Sequence, residues 1–125
     1  MEQGYLLDTN IAIYLLLGKL PSKALKFTKG ILAMRAKISV IAKIELLSWE
    51  ERSELASAFV DDALVYSLDD PTINTAITIR RKYKTKLPDA IIATTCITHS
   101  LCLVTRDVGD FKKIRELTWT NPFEI

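Results

Sequence analysis

The sequence predicts an α/β protein with a short parallel sheet of four or five strands and helices on both faces. Short apolar runs alternate with longer amphipathic segments along the 125 residues, which is the order expected of strand–helix–strand units. The run at residues 100–105 is continuously apolar in character, as is typical of a strand buried on both faces. The sequence shows no repeat, linker or low-complexity stretch, so we expect a single domain over residues 1–125.

The elements follow in order along the chain. The first strand is predicted at residues 4–8, and the first helix begins at about Asn10, its expected cap, and ends at Gly18. Asp69 and Asp70 before Pro71 form a strong helix start. Further strands are predicted at residues 36–40, 63–68, 100–105 and 117–120. Further helices are predicted from residue 21 and at residues 41–49, 53–60, 71–83, 88–98 and, in a turn, 107–114, while residues 61–62 are predicted as a turn.

Composition and charge exclude several classes of protein. The chain is 49% hydrophobic and 26% charged, with a net charge of +2 that does not by itself imply nucleic-acid binding. No apolar run approaches the roughly 20 residues of a membrane span. Residues 1–4 lack the basic start of a signal peptide, so we expect a cytoplasmic protein. Cys96 and Cys102 lack metal-ligand spacing and are expected to be reduced core residues.

Two carboxylates come just beyond the ends of predicted strands. Asp8 follows the first strand, and Asp107 follows the strand at residues 100–105, with Asp110 three residues later. In open α/β sheets, ligands bind in the crevice beyond the carboxyl ends of the strands. The alternative is that each acid only caps the helix that follows it.

Glu45 is predicted to border the apolar side of its helix. Its neighbours three and four positions before it are Ala42 and Ile41. A buried carboxylate without a partner is costly, so Glu45 needs a cation, a cluster of donors or a metal ion. The alternative partner is a structural one, such as Lys43, Lys86 or an arginine.

Asp89 lies in the first turn of the helix that Pro88 opens. A carboxylate there interacts favourably with the helix dipole, which is the simplest explanation for it. The apolar residues 90–93 that follow instead suggest a helix end facing the interior or a cleft.

Together these acids favour a metal site. Carboxylates brought together repel one another unless a cation sits among them. Oxygen-only ligands suit Mg²⁺ or Mn²⁺, and one or two such ions could act on a phosphodiester. Other chemistries have little support, because His99 is the only histidine and is expected at a helix end, and neither a glycine-rich phosphate loop nor a nucleophile elbow is present.

Two basic runs flank these acids. One leads into Asp89, and the other, residues 112–115, follows Asp110. Phosphate contacts at these places would help to seat RNA, although a solvated face is the default explanation. The first run comprises Arg80, Arg81, Lys82, Lys84 and Lys86.

The motifs in this order resemble the PIN domain, and the resemblance covers essentially the whole chain. The motifs are Leu-Leu-Asp-Thr-Asn at residues 6–10, the helical Glu45, Leu-Pro-Asp-Ala-Ile-Ile-Ala at residues 87–93 and Thr-Arg-Asp-Val-Gly-Asp-Phe at residues 105–111. The length looks most like the VapC type of toxin from toxin–antitoxin pairs. One departure is Thr-Thr-Cys at residues 94–96, where many members have alanines, and it concerns helix packing only.

The resemblance implies a three-layer α/β/α fold and a Mg²⁺- or Mn²⁺-dependent ribonuclease. Water activated by the metal would cleave RNA to leave a 5′-phosphate and a 3′-hydroxyl. Family members commonly form homodimers and are silenced by a cognate antitoxin. Two alternatives remain: a PIN nuclease of RNA processing or DNA structures, and a binding module without catalysis. By motif position the acidic quartet is Asp8, Glu45, Asp89 and Asp107, supported by Thr9, Asn10, Thr105 and Asp110.

Overall fold

The computed structural model describes residues 4–125, which contain five strands and seven α-helices. The strands are β1 (Gly4–Leu7), β2 (Lys37–Ser39), β3 (Leu64–Tyr66), β4 (Leu101–Val104) and β5 (Trp119–Thr120). The helices are α1 (Thr9–Leu16), α2 (Ser22–Leu32), α3 (Val40–Leu47), α4 (Ser53–Asp62), α5 (Asp70–Tyr83), α6 (Leu87–Thr98) and α7 (Val108–Phe111). None of these helices is long and apolar enough to cross a bilayer. Residues 1–3, on which the prediction about a signal peptide depends, lie outside the described residues.

All strand pairs among the described residues are parallel, which confirms the predicted sheet. The strands form two hydrogen-bonded groups, one in the order β1-β4-β5 and one of β2 with β3, and β1 packs beside β2. In the first group Leu7 is in register with Val104. The carboxyl ends of β1 and β4 therefore coincide, and the residues that follow these two strands lie side by side.

The sheet has helices on both faces, so the predicted three-layer arrangement is confirmed. Alternate residues of a strand point to opposite faces. Leu7 and Val104 accordingly belong to a core group with α1, α2, α3 and α4, whereas Leu6 and Leu103 belong to a group with α5, α6 and α7. All four residues of β4 are buried, as the sequence predicts for this strand. Cys96 and Cys102 are buried free thiols, which confirms their assignment to the core.

The predicted cap of α1 and the predicted turn at residues 61–62 are wrong. The cap of α1 is Asp8 and not Asn10, because an Asp8 carboxylate oxygen accepts from the Thr9 amide at 2.9 Å and Asn10 lies inside the helix. Residues 61–62, predicted as a turn, form the last positions of α4. Gly18, with a φ of 68°, follows the end of α1, as expected of a glycine at a helix C-terminus. Asp69 caps α5 as predicted, since its carboxylate accepts from the Thr72 amide at 2.9 Å.

Candidate active site at the carboxyl ends of β1 and β4

The Asp8 carboxylate lies at the junction of β1, α1 and β4. The backbone amide of Asp8 donates to the Val104 carbonyl at 3.0 Å, which extends the β1–β4 pairing by one bond. The side chain is 6% exposed, and the fully buried Thr105 donates its hydroxyl to Asp8 Oδ2 at 2.8 Å. Because Oδ1 accepts from the Thr9 amide, the helix-cap explanation holds for one oxygen. Each carboxylate oxygen retains a second lone pair for another ligand.

Thr9 connects Asp8 with Glu45. The Thr9 hydroxyl donates to Glu45 Oε1 at 2.6 Å, which brings together two residues that are 36 positions apart. The predicted burial of Glu45 is wrong, because its side chain is exposed. Only Ala42 and Leu46 of α3 are buried, so the buried side of this helix is narrower than its apolar sequence suggests. Among the described residues the partner of Glu45 is this threonine, and neither a lysine nor an arginine forms an ion pair with it.

Asn10 connects the start of α1 with the residues after β4. Its side-chain amide donates to Asp107 Oδ2 at 2.9 Å. The Asp107 backbone amide donates to Thr105 Oγ1 at 3.0 Å, so Thr105 is bonded both to Asp8 and to this turn. The Asp107 side chain forms no capping bond to α7, contrary to the alternative that it serves as a helix cap.

The carboxylates of this edge influence one another. Burial raises the pKa of Asp8 to about 6, against lowering by the hydrogen bonds from Thr105 and Thr9, and the charges of Asp107 and Asp89 raise the pKa further. Among the causes that raise the pKa of Asp8, burial is the larger and repulsion by the neighbouring acids is the smaller.

Asp89 belongs to the same electrostatic group. Its pKa is raised by partial burial and by the negative charges of Asp110, Asp107 and Glu45, while Lys86 lowers it. Asp89 therefore lies within electrostatic reach of Asp110 and of the other three predicted ligands, and Asp8 within reach of Asp89 and Asp107.

The arrangement is open and does not form a closed metal cage. No three His, Cys, Asp or Glu side chains within residues 4–125 are grouped closely enough to hold an ion as they are placed. Mg²⁺ usually keeps several waters and binds through one or two carboxylates together with substrate phosphates. Asp8 is buried near other acids and accepts hydrogen bonds from a hydroxyl and an amide, but no cation among the described residues pairs with it. This environment suits an ion that keeps most of its water ligands.

The predicted RNA-binding residues are only partly associated with this edge. Lys86 acts electrostatically on Asp89 and lies directly before α6. Arg80 Nε donates to the Thr85 carbonyl at 3.2 Å, so this arginine also holds the loop before α6. Arg81 and Lys84 are exposed on α5 and at its end, where Lys84 adopts a left-handed backbone with a φ of 56°.

The sequence interpretation gave no role in the site to three residues that the structure brings together: Arg106, Tyr14 and Phe123. Arg106 Nη1 donates to the Tyr14 hydroxyl at 3.3 Å, and its guanidinium lies 4.3 Å from the centre of the Phe123 ring. The signal available in the sequence was Tyr14, which is four positions after Asn10 and so shares its side of α1. His99, by contrast, caps the C-terminus of α6 as expected, with its ring 4.5 Å from that of Tyr66.

Comparison with known proteins gives a family and several similar structures. The family model of the PIN domain matches residues 5–117. No curated protein matches the chain. A chain of a toxin–antitoxin complex from Klebsiella pneumoniae is 28% identical, with a TM-score of 0.76 over 97% of this chain and 99% of that one.

Two further solved structures share the fold at lower identity. A chain of DNA-bound VapBC from Salmonella typhimurium is 22% identical, with a TM-score of 0.80 over 97% of this chain and 99% of that one. A chain of VapBC-1 from nontypeable Haemophilus influenzae is 22% identical, with a TM-score of 0.79 over 94% of this chain and 97% of that one.

Proposed function

The chain belongs to the PIN domain family, and on that premise we propose that it is a metal-dependent endoribonuclease that hydrolyses RNA phosphodiester bonds. PIN domains are generally nucleases. The observation that carries the proposal is Asp8, a carboxylate with 6% exposure that lies among other acids and has only hydroxyl and amide donors. A charge held in this way is costly unless a cation joins it.

The proposed metal ligands are Asp8, Glu45, Asp89 and Asp107. Their oxygen-only donor set suits Mg²⁺ or Mn²⁺. When bound, such an ion would lower the pKa of a water molecule and offset the negative charge of the phosphate.

Four neighbouring residues support this set. Thr9 and Asn10 fix the carboxylates of Glu45 and Asp107 by hydrogen bonds from successive positions of α1. Thr105 holds both Asp8 and the backbone of the following turn. Asp110 adds negative charge beside Asp89 and would contact the ion through water. Partners that orient a ligand in this way typically change metal affinity or activity by about 10- to 100-fold when they are lost.

The substrate proposal is RNA held by its phosphates beside α6. Lys86 supports this proposal because its positive charge acts on Asp89 and lowers the pKa of that carboxyl. Arg80, Arg81 and Lys84 would extend a positive surface away from them along α5. Charge reversal at Arg81 and Lys84 is expected to weaken RNA binding and to reduce its dependence on salt.

The physiological role we propose is that of a toxin controlled by a cognate antitoxin. The support is the chain of the Klebsiella pneumoniae toxin–antitoxin complex, which is 28% identical over nearly the full length of both chains. We expect this chain to act as a homodimer. Growth arrest by the chain should be relieved by co-expression of a short open reading frame directly upstream of its gene.

The decisive experiment compares the wild type with Asp8→Asn by expression in cells and mapping of RNA 5′ ends. The wild type is expected to create new 5′-phosphate ends and to stop growth, and Asp8→Asn is expected to do neither. Asp61→Asn, the same change at an exposed position near the end of α4, is the matched control and should behave as the wild type. The same new ends in wild type and Asp8→Asn would contradict the proposal.

A further inference from the structure

Arg106 lies between two residues of the candidate site and is held by two aromatic rings. Its guanidinium carbon is 4.3 Å from the centre of the Phe123 ring and 5.6 Å from the centre of the Tyr14 ring. Nη1 donates to the Tyr14 hydroxyl at 3.3 Å, and the two rings meet edge to face with their centres 5.4 Å apart. We call Arg106, Tyr14 and Phe123 the arginine clamp.

The clamp is joined to the acids through α1. Asn10 and Tyr14 are four positions apart on this helix and therefore share one side of it. Asn10 holds the Asp107 carboxylate, and Tyr14 holds the side chain of the preceding residue, Arg106. One side of α1 thus fixes two successive residues after β4, an acid and a base.

The third member of the clamp comes from the C-terminal end of the described chain. Phe123 lies in a short 3₁₀ turn, Pro122–Glu124, that packs against α2. The family model matches residues 5–117, so this ring lies beyond the matched part of the chain.

The clamp holds the guanidinium of Arg106, the residue directly before Asp107, without an acidic partner among the described residues. Arg106 is exposed, and among residues 4–125 it forms no ion pair and no hydrogen bond besides that to Tyr14. A guanidinium has five N–H donors, so most of them remain for another acceptor. Stacking on aromatic faces suits arginine because its planar cation is weakly hydrated.

We propose that the arginine clamp presents Arg106 to a phosphate group of the RNA substrate beside the acidic edge; this inference rests on the proposed ribonuclease function. Carboxylates repel a polyanion, so a fixed cation in the same turn as Asp107 would add to the metal ion and Lys86 in holding the RNA backbone. Arginine can form two parallel hydrogen bonds to a phosphate. Tyr14 and Phe123 are positioning residues that reduce the freedom the side chain loses on binding.

The first test measures RNA binding in an Asp8→Asn background, in which cleavage is expected to be absent. The probe is a fluorescein-labelled single-stranded RNA of 20 randomised nucleotides, followed by anisotropy over a range of salt concentrations. Arg106→Gln is expected to weaken binding by about 10-fold and to reduce the magnitude of the salt slope by about 0.7. Arg52→Gln, which removes the same charge from the 3₁₀ turn before α4, is the control and should do neither.

The second test separates presentation of Arg106 from a purely structural role of the rings. Phe123→Leu is expected to weaken binding by a few-fold while Arg106 remains. The double variant Phe123→Leu/Arg106→Gln should then bind no more weakly than Arg106→Gln alone, because both changes remove one interaction. If the losses of RNA affinity in the two single variants add up in the double variant, and Phe123→Leu also lowers the melting temperature, the ring only supports the fold. That result would overturn the proposal.

A kinetic comparison distinguishes failure of this inference from failure of the proposed function. The substrate is a synthetic oligoribonucleotide centred on the strongest 5′ end produced by the wild type. Arg106→Gln is expected to raise KM by about 10-fold with a smaller effect on kcat, and Arg106→Lys to recover part of the loss. Cleavage by the wild type with unchanged KM and salt slope in Arg106→Gln would overturn the clamp alone. Absence of both cleavage and RNA binding by the wild type would overturn both proposals.

Discussion

Asp8 and Glu116 are carboxylates with opposite surroundings and opposite pKa shifts. Asp8 is buried at the edge of the sheet, accepts from the Thr105 hydroxyl and has a pKa raised to about 6 by burial. Glu116 is exposed, accepts from the Tyr83 hydroxyl at 2.6 Å and pairs with Lys82 at 3.3 Å. Those hydrogen bonds and the Lys82 charge lower the pKa of Glu116, with the Tyr83 bond as the largest cause.

The difference lies in which of the two acids has a cation beside it. Within residues 4–125 the Lys82–Glu116 pair is the one ion pair, and it lies on the surface, where pairing contributes little. The buried Asp8 carboxylate, whose charge is far more costly, has neutral donors and negative neighbours. This contrast is what the proposed metal site would explain, since a cation from solution would supply the positive partner that the buried Asp8 lacks among the described residues.

The largest expected effect is on cleavage. Asp8→Asn keeps the shape of the side chain but removes its charge, and it should lower the cleavage rate by at least about 100-fold. Glu116→Gln is the matched change at the other carboxylate and should leave the rate within about 2-fold of the wild type, since it lies in the surface pair. The measurement is the initial rate on labelled RNA with Mn²⁺. Equal losses in both variants would remove the distinction between the two acids.

The next effect is on stability as a function of pH without metal. The pKa of Asp8 in the folded chain is about 6, against an ordinary value of 3.8, so the folded state binds this proton more tightly than the unfolded state. Protonation of Asp8 therefore contributes fully to the free energy of unfolding below about pH 4, and this contribution is lost as the pH rises through about 6. The difference of about 2 pKa units corresponds to at most roughly 3 kcal/mol.

Urea unfolding in EDTA between pH 4 and pH 7 measures the contribution of Asp8 protonation to the free energy of unfolding. Asp8→Asn cannot lose the proton, so its stability relative to the wild type should grow with pH by up to roughly 3 kcal/mol. If the difference in free energy of unfolding between the two proteins does not change with pH, the charge of Asp8 does not destabilise the folded state.

A third effect is stabilisation by the metal itself. An ion that binds the folded chain stabilises it by mass action, by about 2.7 kcal/mol at 100 times its dissociation constant. For a chain of 125 residues this corresponds to a rise in melting temperature of about 10 °C. Differential scanning fluorimetry with Mg²⁺ or Mn²⁺, against NaCl of equal ionic strength, should show the rise in wild type and Glu116→Gln. A rise of the same size in Asp8→Asn would place the bound ion elsewhere.

The smallest effect concerns the surface pair. Glu116→Gln should lower the melting temperature by at most about 4 °C, and the loss should shrink in 1 M NaCl because exposed charges are screened. Tyr83→Phe tests the other partner, since its hydroxyl also accepts from the Arg115 amide at 3.3 Å. A loss that is independent of salt would assign the stability to the tyrosine bond and not to the charge of Lys82.

The sequence predicts the strand ends well and the helical side chains less well. The apolar runs that stop at Asp8 and before Asp107 are visible in the sequence itself. Because a parallel sheet places the carboxyl ends of its strands at one edge, these local signals also predict that the two acids lie at the same edge. Glu45 failed as a burial prediction because α3 buries Ala42 and Leu46 and exposes Ile44, which is 57% exposed. Which side of an apolar helix is covered depends on its neighbours, and a single sequence does not state them.

Contacts between distant positions were beyond the sequence for a different reason. The bonds from Thr9 to Glu45 and from Arg106 to Tyr14 join residues 36 and 92 positions apart. Threonine at the start of a helix and arginine in a turn have common local explanations, and nothing in their neighbourhood identifies the partner. The motif order found the acids, whereas the side chains that orient them required the structure.

The buried strand β4 has a consequence for how this site opens over time. The Asp8 amide is bonded to the Val104 carbonyl and Thr105 to the Thr120 carbonyl, so these amides belong to the central ladder. Amides of such a ladder exchange hydrogen with solvent only when the whole domain unfolds, whereas exposed turns exchange through local opening. Deuterium uptake at the two ends of the site should therefore differ by orders of magnitude, with the Asp8 amide slow and the amide of Asp110, which is exposed in the short helix α7, fast. We therefore expect the Asp8 side of the acidic edge to persist as long as the fold itself and the Asp110 side to open locally.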